Sequence, residues 1–185
     1  MTEPRTIGHG YKMLEQDLRT GKLYPLFINK YKPTEVGTWI PAENVPTKGY
    51  AVRPGWHIGT GAPFAPQLLD ANGRYRSRRG KCFRRVWCEV SYPMDVDYQE
   101  TVARSCKKAM TDRIPENGCY VFNEINGTWI IAGAIRIDRI LTDAEIVEIL
   151  NEKGIQYNRL ARLHVIGWFD KLLPADYSLY SEAKA

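Results

Sequence analysis

Cys119-Tyr120-Val121-Phe122-Asn123-Glu124-Ile125-Asn126-Gly127-Thr128-Trp129-Ile130-Ile131-Ala132-Gly133-Ala134-Ile135-Arg136-Ile137-Asp138-Arg139-Ile140-Leu141 runs directly into Thr142-Asp143-Ala144-Glu145. Two apolar, β-branched and aromatic runs, Cys119 to Ile125 and Thr128 to Leu141, flank Asn126-Gly127. That dipeptide favours positive φ at both central positions of a tight turn and predicts a hairpin. In the second run Ile135, Ile137 and Arg139 share one face, and Gly133 marks an expected bulge. Thr142 to Glu145 is a capping box. It opens a helix over Asp143 to Lys153, with Ile146, Val147, Ile149 and Leu150 as the apolar face and Gly154 as the stop.

Upstream, Phe83 to Val90 places Val86, Cys88 and Val90 on one face and Arg85, Trp87 and Glu89 on the other, the period of a half-buried strand. Leu23 to Ile28 reads as a strand, held to a sheet edge by Pro25, which cannot donate to a ladder. Thr38 to Ile40 and Gly49 to Ile58 read as short strands among turns, Ala65 to Leu69 as one helical turn, and Glu100 to Met110 as a polar helix. Residues 11 to 20 read as a short helix or turn ended by Gly21. The sum is an α+β domain with a mainly antiparallel, twisted sheet and a few short helices. Residues 1–185 are expected to form one domain, a module over about 11–150 with 151–185 packed on it as a C-terminal extension.

The chain has 185 residues, 44% hydrophobic and 25% charged, the balance of a globular protein. No apolar run approaches the roughly 20 residues that cross a bilayer, and Met1 to Arg5 lacks a signal-peptide core, so a cytoplasmic location and no membrane partner are expected. Cys82, Cys88, Cys106 and Cys119 form no CxxC pair and have no metal spacing to His9, His57 or His164, which predicts free thiols and no metal. There is no GxxxxGK[ST], no GxGxxG after a strand and no HExxH, which argues against a P-loop nucleoside-triphosphatase, a Rossmann oxidoreductase and a zinc protease.

Two stretches carry chemistry. The net charge of +5 is concentrated in Arg74, Arg76, Arg78, Arg79, Lys81, Arg84 and Arg85, with Tyr75 and Phe83 interleaved. The block reads either as a solvated loop entering a strand or as a patch contacting nucleic-acid phosphate or a host protein. Arg74, Arg76, Arg78, Arg79 and Lys81 are its candidate contacts. Residues 37–66 gather Trp39, Glu43, Arg53, Trp56 and His57. Here His57 suits a hydrogen-bond donor or general base, Arg53 a phosphate fork, Trp39 or Trp56 a stacking face, and Glu43 or Glu89 the nearest carboxylate. The same Arg53-Pro54-Gly55-Trp56-His57 also reads as a rigid turn, with Pro54 fixing φ, Gly55 permitting close approach and Trp56 filling the core.

These segments resemble a family of bacteriophage, plasmid and conjugative-element proteins with no established activity. The likeness rests on Leu23-Tyr24-Pro25-Leu26-Phe27, Gly37-Thr38-Trp39 with Ala42-Glu43, and Pro46-Thr47-Lys48-Gly49. It extends through Arg53 to His57, Ala65-Pro66-Gln67-Leu68, Arg85 to Val90, Gly127 to Ala134 and Ile140 to Glu145, most of residues 11–150. It implies an accessory factor of a mobile element that acts on a bacterial host by binding a host protein or nucleic acid, without a cofactor. The order of the strands is also similar to the ADP-ribosyltransferase scaffold, which implies, as the alternative, a nucleotide-binding enzyme with nicotinamide adenine dinucleotide as substrate. In that comparison Tyr24 stands where a His or Arg belongs. Trp129 lies near the place of the expected Glu, and Glu124 is displaced onto the preceding strand. The oligomeric state is left open.

Overall fold

The computed structural model describes residues 3–43, 55–65, 68–70, 74–77, 79–100, 114–124 and 127–155. Among them are strands β1 (Ile7–Asp17), β2 (Leu23–Tyr24), β3 (Trp39–Pro41), β4 (Trp56–Gly59), β5 (Phe83–Pro93), β6 (Val96–Asp97), β7 (Gly118–Glu124), β8 (Gly127–Ala132) and β9 (Ala134–Ile140), and helix α1 (Asp143–Glu152). They form one sheet in the order β3-β9-β5-β1-β4-β8-β7-β6, with β2 on β1. Every strand pair is antiparallel except β6 with β7. The architecture is therefore α+β and mainly antiparallel.

The spine is the pair β1–β5, in continuous register from Ile7 opposite Pro93 to Asp17 opposite Phe83. This corrects the helix or turn expected at residues 11–20. Gly8, Gly10, Lys12 and Gln16 interrupt the apolar alternation along β1, so its strand character comes from its partners and not from its own pattern. Only the end of the reading holds, since Gly21, at φ 73°, closes the turn back to Asp17 with a 2.8 Å hydrogen bond. β5 is buried on both faces, Trp87 and Ser91 as well as Val86, Cys88 and Val90, not half-buried as its pattern predicts. The strand expected over Leu23–Ile28 is two residues long, because Pro25 ends its ladder.

The run from Gly127 to Ile140 is one chain direction bent at Gly133. Its first half, β8, pairs with β4 and β7, and its second half, β9, with β5 and β3. In a flat sheet β8 and β9, four positions apart in the order, would stand about 19 Å from each other at about 4.8 Å per strand. The single residue between them spans about 7 Å at most. The sheet therefore curls round until its two halves meet at Gly133, and the bend is a corner where a bulge was expected. A Cβ at Gly133 would lie 1.8 Å from the carbonyl oxygen of Pro115, so only glycine fits. Inside the curl sit Leu14, Ile58, Val86, Cys88, Val90, Ala132, Ile135 and Ile137. The indole of Trp56 crosses it, donating from Nε1 to the Ile40 carbonyl at 2.9 Å.

Gly127 begins β8 opposite Glu124, so the strand starts one residue earlier than the expected turn at Asn126-Gly127 would place it, and Asn126 lies outside the described residues. α1 covers the outer face of the spine. Ile146 and Ile149 pack with Met13, Trp87 and Leu141, and Leu150 with Ala62 and Ile155. Val147, read as part of the apolar face, is 47% exposed. The capping box is present, with the Thr142 side chain accepting from the Glu145 N–H and the Glu145 carboxylate from the Thr142 N–H. Cys82, Cys88 and Cys119 are free thiols. Arg53, Arg78, Cys106, most of the helix expected at Glu100–Met110 and the extension from Gln156 lie outside the described residues.

Candidate functional site

The basic block is built on an alternation. Residues 74–77 and 79 lie along the outer face of the spine, and the inward side chains anchor them. Tyr75 stacks edge-on against Trp87, with ring centroids 5.8 Å apart, and its hydroxyl accepts from the Ala65 N–H at 2.9 Å. Ser77 donates to Glu15 Oε1 at 2.9 Å. Arg79 reaches the same buried carboxylate, with Nε 3.6 Å from Oε2. Its guanidinium lies 4.3 Å from the ring centroid of Phe83, 4.5 Å from that of Tyr24 and 5.5 Å from that of Tyr31. Arg74 before the anchors, Arg76 between them and Lys81 beyond them are exposed. None of these three cations makes an ion pair with a described carboxylate. Farther along, Arg84 donates to Gln16 at 2.9 Å and Arg85 to the Leu68 carbonyl at 2.8 Å. Of the expected contacts, then, Arg74, Arg76 and Lys81 are displayed, while Arg79 is a structural anchor.

Next to Arg79 stands the loop between β2 and Thr34, whose exposed rings were not among the candidate site residues. Tyr31 is 75% exposed and Phe27 53% exposed. The loop is closed by Thr34, whose N–H donates to the Leu23 carbonyl at 2.8 Å, and turned by Asn29 at φ 56°. Glu43 pins it from outside, accepting from Asn29 Nδ2 at 2.9 Å and pairing with Lys32. The available signal was Lys30-Tyr31-Lys32, an aromatic side chain between two lysines.

Of the residues gathered from 37–66, the described ones, Trp39, Glu43, Trp56 and His57, are engaged at separate places. Trp39 donates to Glu3 at 3.0 Å, and its ring is covered by Arg136 at 5.1 Å. Trp56 is spanned by Lys12, whose Nζ lies 5.2 Å from the ring centroid and donates to the His57 carbonyl at 2.7 Å. Burial lowers the Lys12 ammonium to a pKa of about 8. Gly55, at φ 133°, leads into β4, and a Cβ there would lie 2.5 Å from Ile131 Cγ2. Strand alternation puts half-buried His57 on that same side, opposite Ile131 and toward the apolar cluster of Ile114, Tyr120 and Ile131. Glu43 follows β3 at the sheet edge, whereas Glu89 sits mid-sheet, accepting from Arg139 Nε at 2.6 Å.

Glu89 does line a cleft of about 350 Å³, together with His9, Tyr11, Asp138 and Lys153. Burial, and then the charge of Glu89, raise the Tyr11 phenol above its ordinary pKa. At the back, Ser91 donates to Asp138 Oδ2 at 2.7 Å and lies 3.3 Å from His9 Nδ1, while Arg136 holds Asp138 Oδ1 at 2.8 Å. Ser91 is fully buried and braces Asp138 from behind the cleft. Across the described residues no group of His, Cys, Asp and Glu is arranged to hold a metal ion, and no helix is long and apolar enough to cross a membrane. No protein-family model, curated protein or solved structure matches the chain.

Proposed function

We propose that the chain binds nucleic acid, through Arg74, Arg76 and Lys81, as an accessory factor of a mobile element in the cytoplasm of its bacterial host. The observation that carries this reading is the anchoring of Tyr75, Ser77 and Arg79 against the spine, which leaves Arg74, Arg76 and Lys81 exposed and without an ion pair to a described carboxylate. Each cation that neutralises a phosphate releases condensed counterions, and a segment already anchored to the spine presents its cations without an ordering cost. Mobility shifts and anisotropy titrations across a salt series test it. The triple variant Arg74→Gln/Arg76→Gln/Lys81→Gln should weaken binding and flatten the slope of log K against log salt by about 0.9 per lost contact. Unchanged affinity and slope would sink the reading, and capture of a host protein with no nucleic-acid shift would redirect it to a protein partner.

A second reading is an enzyme of the ADP-ribosyltransferase type, with nicotinamide adenine dinucleotide as substrate. The cleft beside Glu89 supports it, with two carboxylates, an imidazole, a phenol and an ammonium around one concavity. A thermal-shift titration with that dinucleotide checks it, since a ligand at 100 times its Kd stabilises by about 2.7 kcal/mol. No shift removes this reading.

A further inference from the structure

The geometry points to a single-stranded nucleic acid as the ligand, with an unpaired base stacked on Tyr31; this rests on the nucleic-acid reading above. Tyr31 is 75% exposed, at the apex of a loop tied down at both ends and at its middle. Because the loop is already fixed, its exposed ring can meet a ligand without an ordering cost. Its neighbours are cations: Lys30 Nζ lies 5.0 Å and the Arg79 guanidinium 5.5 Å from its centroid. Because Arg79 lies between Arg76 and Lys81 along the strip, Tyr31 stands beside the proposed line of phosphate contacts. Phe27 is a second exposed ring on the same loop.

A duplex offers this surface only its phosphates, because its base faces are already stacked on one another. A single strand offers both phosphates and free base faces, and a stacked base adds affinity with little dependence on sequence. The asymmetry between rings agrees with this division. Tyr24 and Phe83 are consumed by Arg79 and by each other, with centroids 6.1 Å apart, whereas Tyr31 keeps three quarters of its surface.

Fluorescence anisotropy of the full chain with labelled oligo-dT and with a labelled duplex of the same length tests the inference. Wild type should prefer oligo-dT. Tyr31→Ala should weaken oligo-dT binding about tenfold, leaving duplex binding and the salt slope unchanged, while Tyr31→Phe should retain wild-type affinity. If Tyr31→Ala leaves oligo-dT binding unchanged, or wild type binds duplex as tightly, the single-strand inference falls. In that case the broader reading still stands wherever Arg74→Gln/Arg76→Gln/Lys81→Gln lowers affinity. If neither oligonucleotide binds, both fall together. Tyr31 supports no core contact, so circular dichroism of Tyr31→Ala should overlay that of wild type.

Discussion

Lys12 is a cation inside a curled sheet, opposite Cys88 across the strand pair. The described elements facing it are β4, through the His57 carbonyl and Trp56, and β5, through Cys88, and none of these supplies a negative charge. Its pKa falls from 10.5 to about 8 because burial disfavours the ammonium. The sign follows from proton counts. Below pH 8 both states hold the proton and folding carries the full cost of desolvation. Above pH 8 the native state releases a proton that the unfolded chain keeps, so stability rises with pH. Burial also pushes the Cys88 thiol up to about 12 and the Cys119 thiol to about 11, from 9.0. From pH 9 upward the unfolded chain loses thiol protons that the native state keeps, and this opposes the gain. The net rise is therefore confined to about pH 8–9, at about 1 kcal/mol. Urea melts should show it in wild type and not in Lys12→Met, which should also be more stable at pH 7 by about 1–3 kcal/mol. Some of the Lys12 surface remains exposed, which makes the upper figure a ceiling. Gly133→Ala is the opposite case. Its methyl would sit 1.8 Å from the Pro115 oxygen at the corner of the sheet, so thermal or urea unfolding should register a loss of about 3 kcal/mol or more.

At the scale of elements, α1 is bound to the sheet by charge as well as by Ile146 and Ile149. Arg139 on β9 bonds to Glu89 on β5 and to Glu145 in the first turn of α1. The Thr142 N–H and hydroxyl, and then Arg139, hold the Glu145 carboxyl down at about 2. A carboxylate with a depressed native pKa stabilises above its unfolded value of 4.5, and loses that contribution as pH falls toward 2. Glu145→Gln should therefore blunt the acid limb of a pH–stability curve between about 4.5 and 2, while Thr142→Ala should cost about 1 kcal/mol at neutral pH in urea melts. This helix was legible to within one residue of its end because a capping box is a local code. β1 was not, because Lys12 and the glycines of its inner face obey the needs of the curled sheet, and those needs are not written in the strand itself. Gly133 was legible as a special position, but whether a glycine makes a bulge or a corner depends on Pro115, eighteen positions away. In the site, the cationic block was readable and its division was not. Arg76 and Arg79 are the same residue type, and only Glu15, Tyr24 and Phe83 turn the second into an anchor.

That division is a property of the whole molecule and gives its sharpest test. A net charge of +5 spread at random would confer weak, diffuse attraction to any polyanion. Here the outer face of the spine sorts the cations, consuming Arg79 and Arg85 in packing and presenting Arg74, Arg76 and Lys81. Stability and binding should therefore separate by position within one short segment. Arg79→Gln leaves Glu15, only 2% exposed, without its ion-pair partner. Stranding a buried carboxylate should destabilise the fold by about 2–4 kcal/mol. Arg76→Gln removes an exposed, unpaired side chain and should change stability by less than about 0.5 kcal/mol. Its effect belongs to binding, as a weaker affinity at low salt and a slope shallower by about 0.7 on a single strand and about 0.9 on a duplex. Paired urea melts and salt-dependent anisotropy titrations on the two variants read both axes at once. Should Arg76→Gln be the destabilising change, or Arg79→Gln lower affinity without lowering stability, the sorting of this strip into anchors and contacts is wrong, and the proposed nucleic-acid reading loses the observation that carries it.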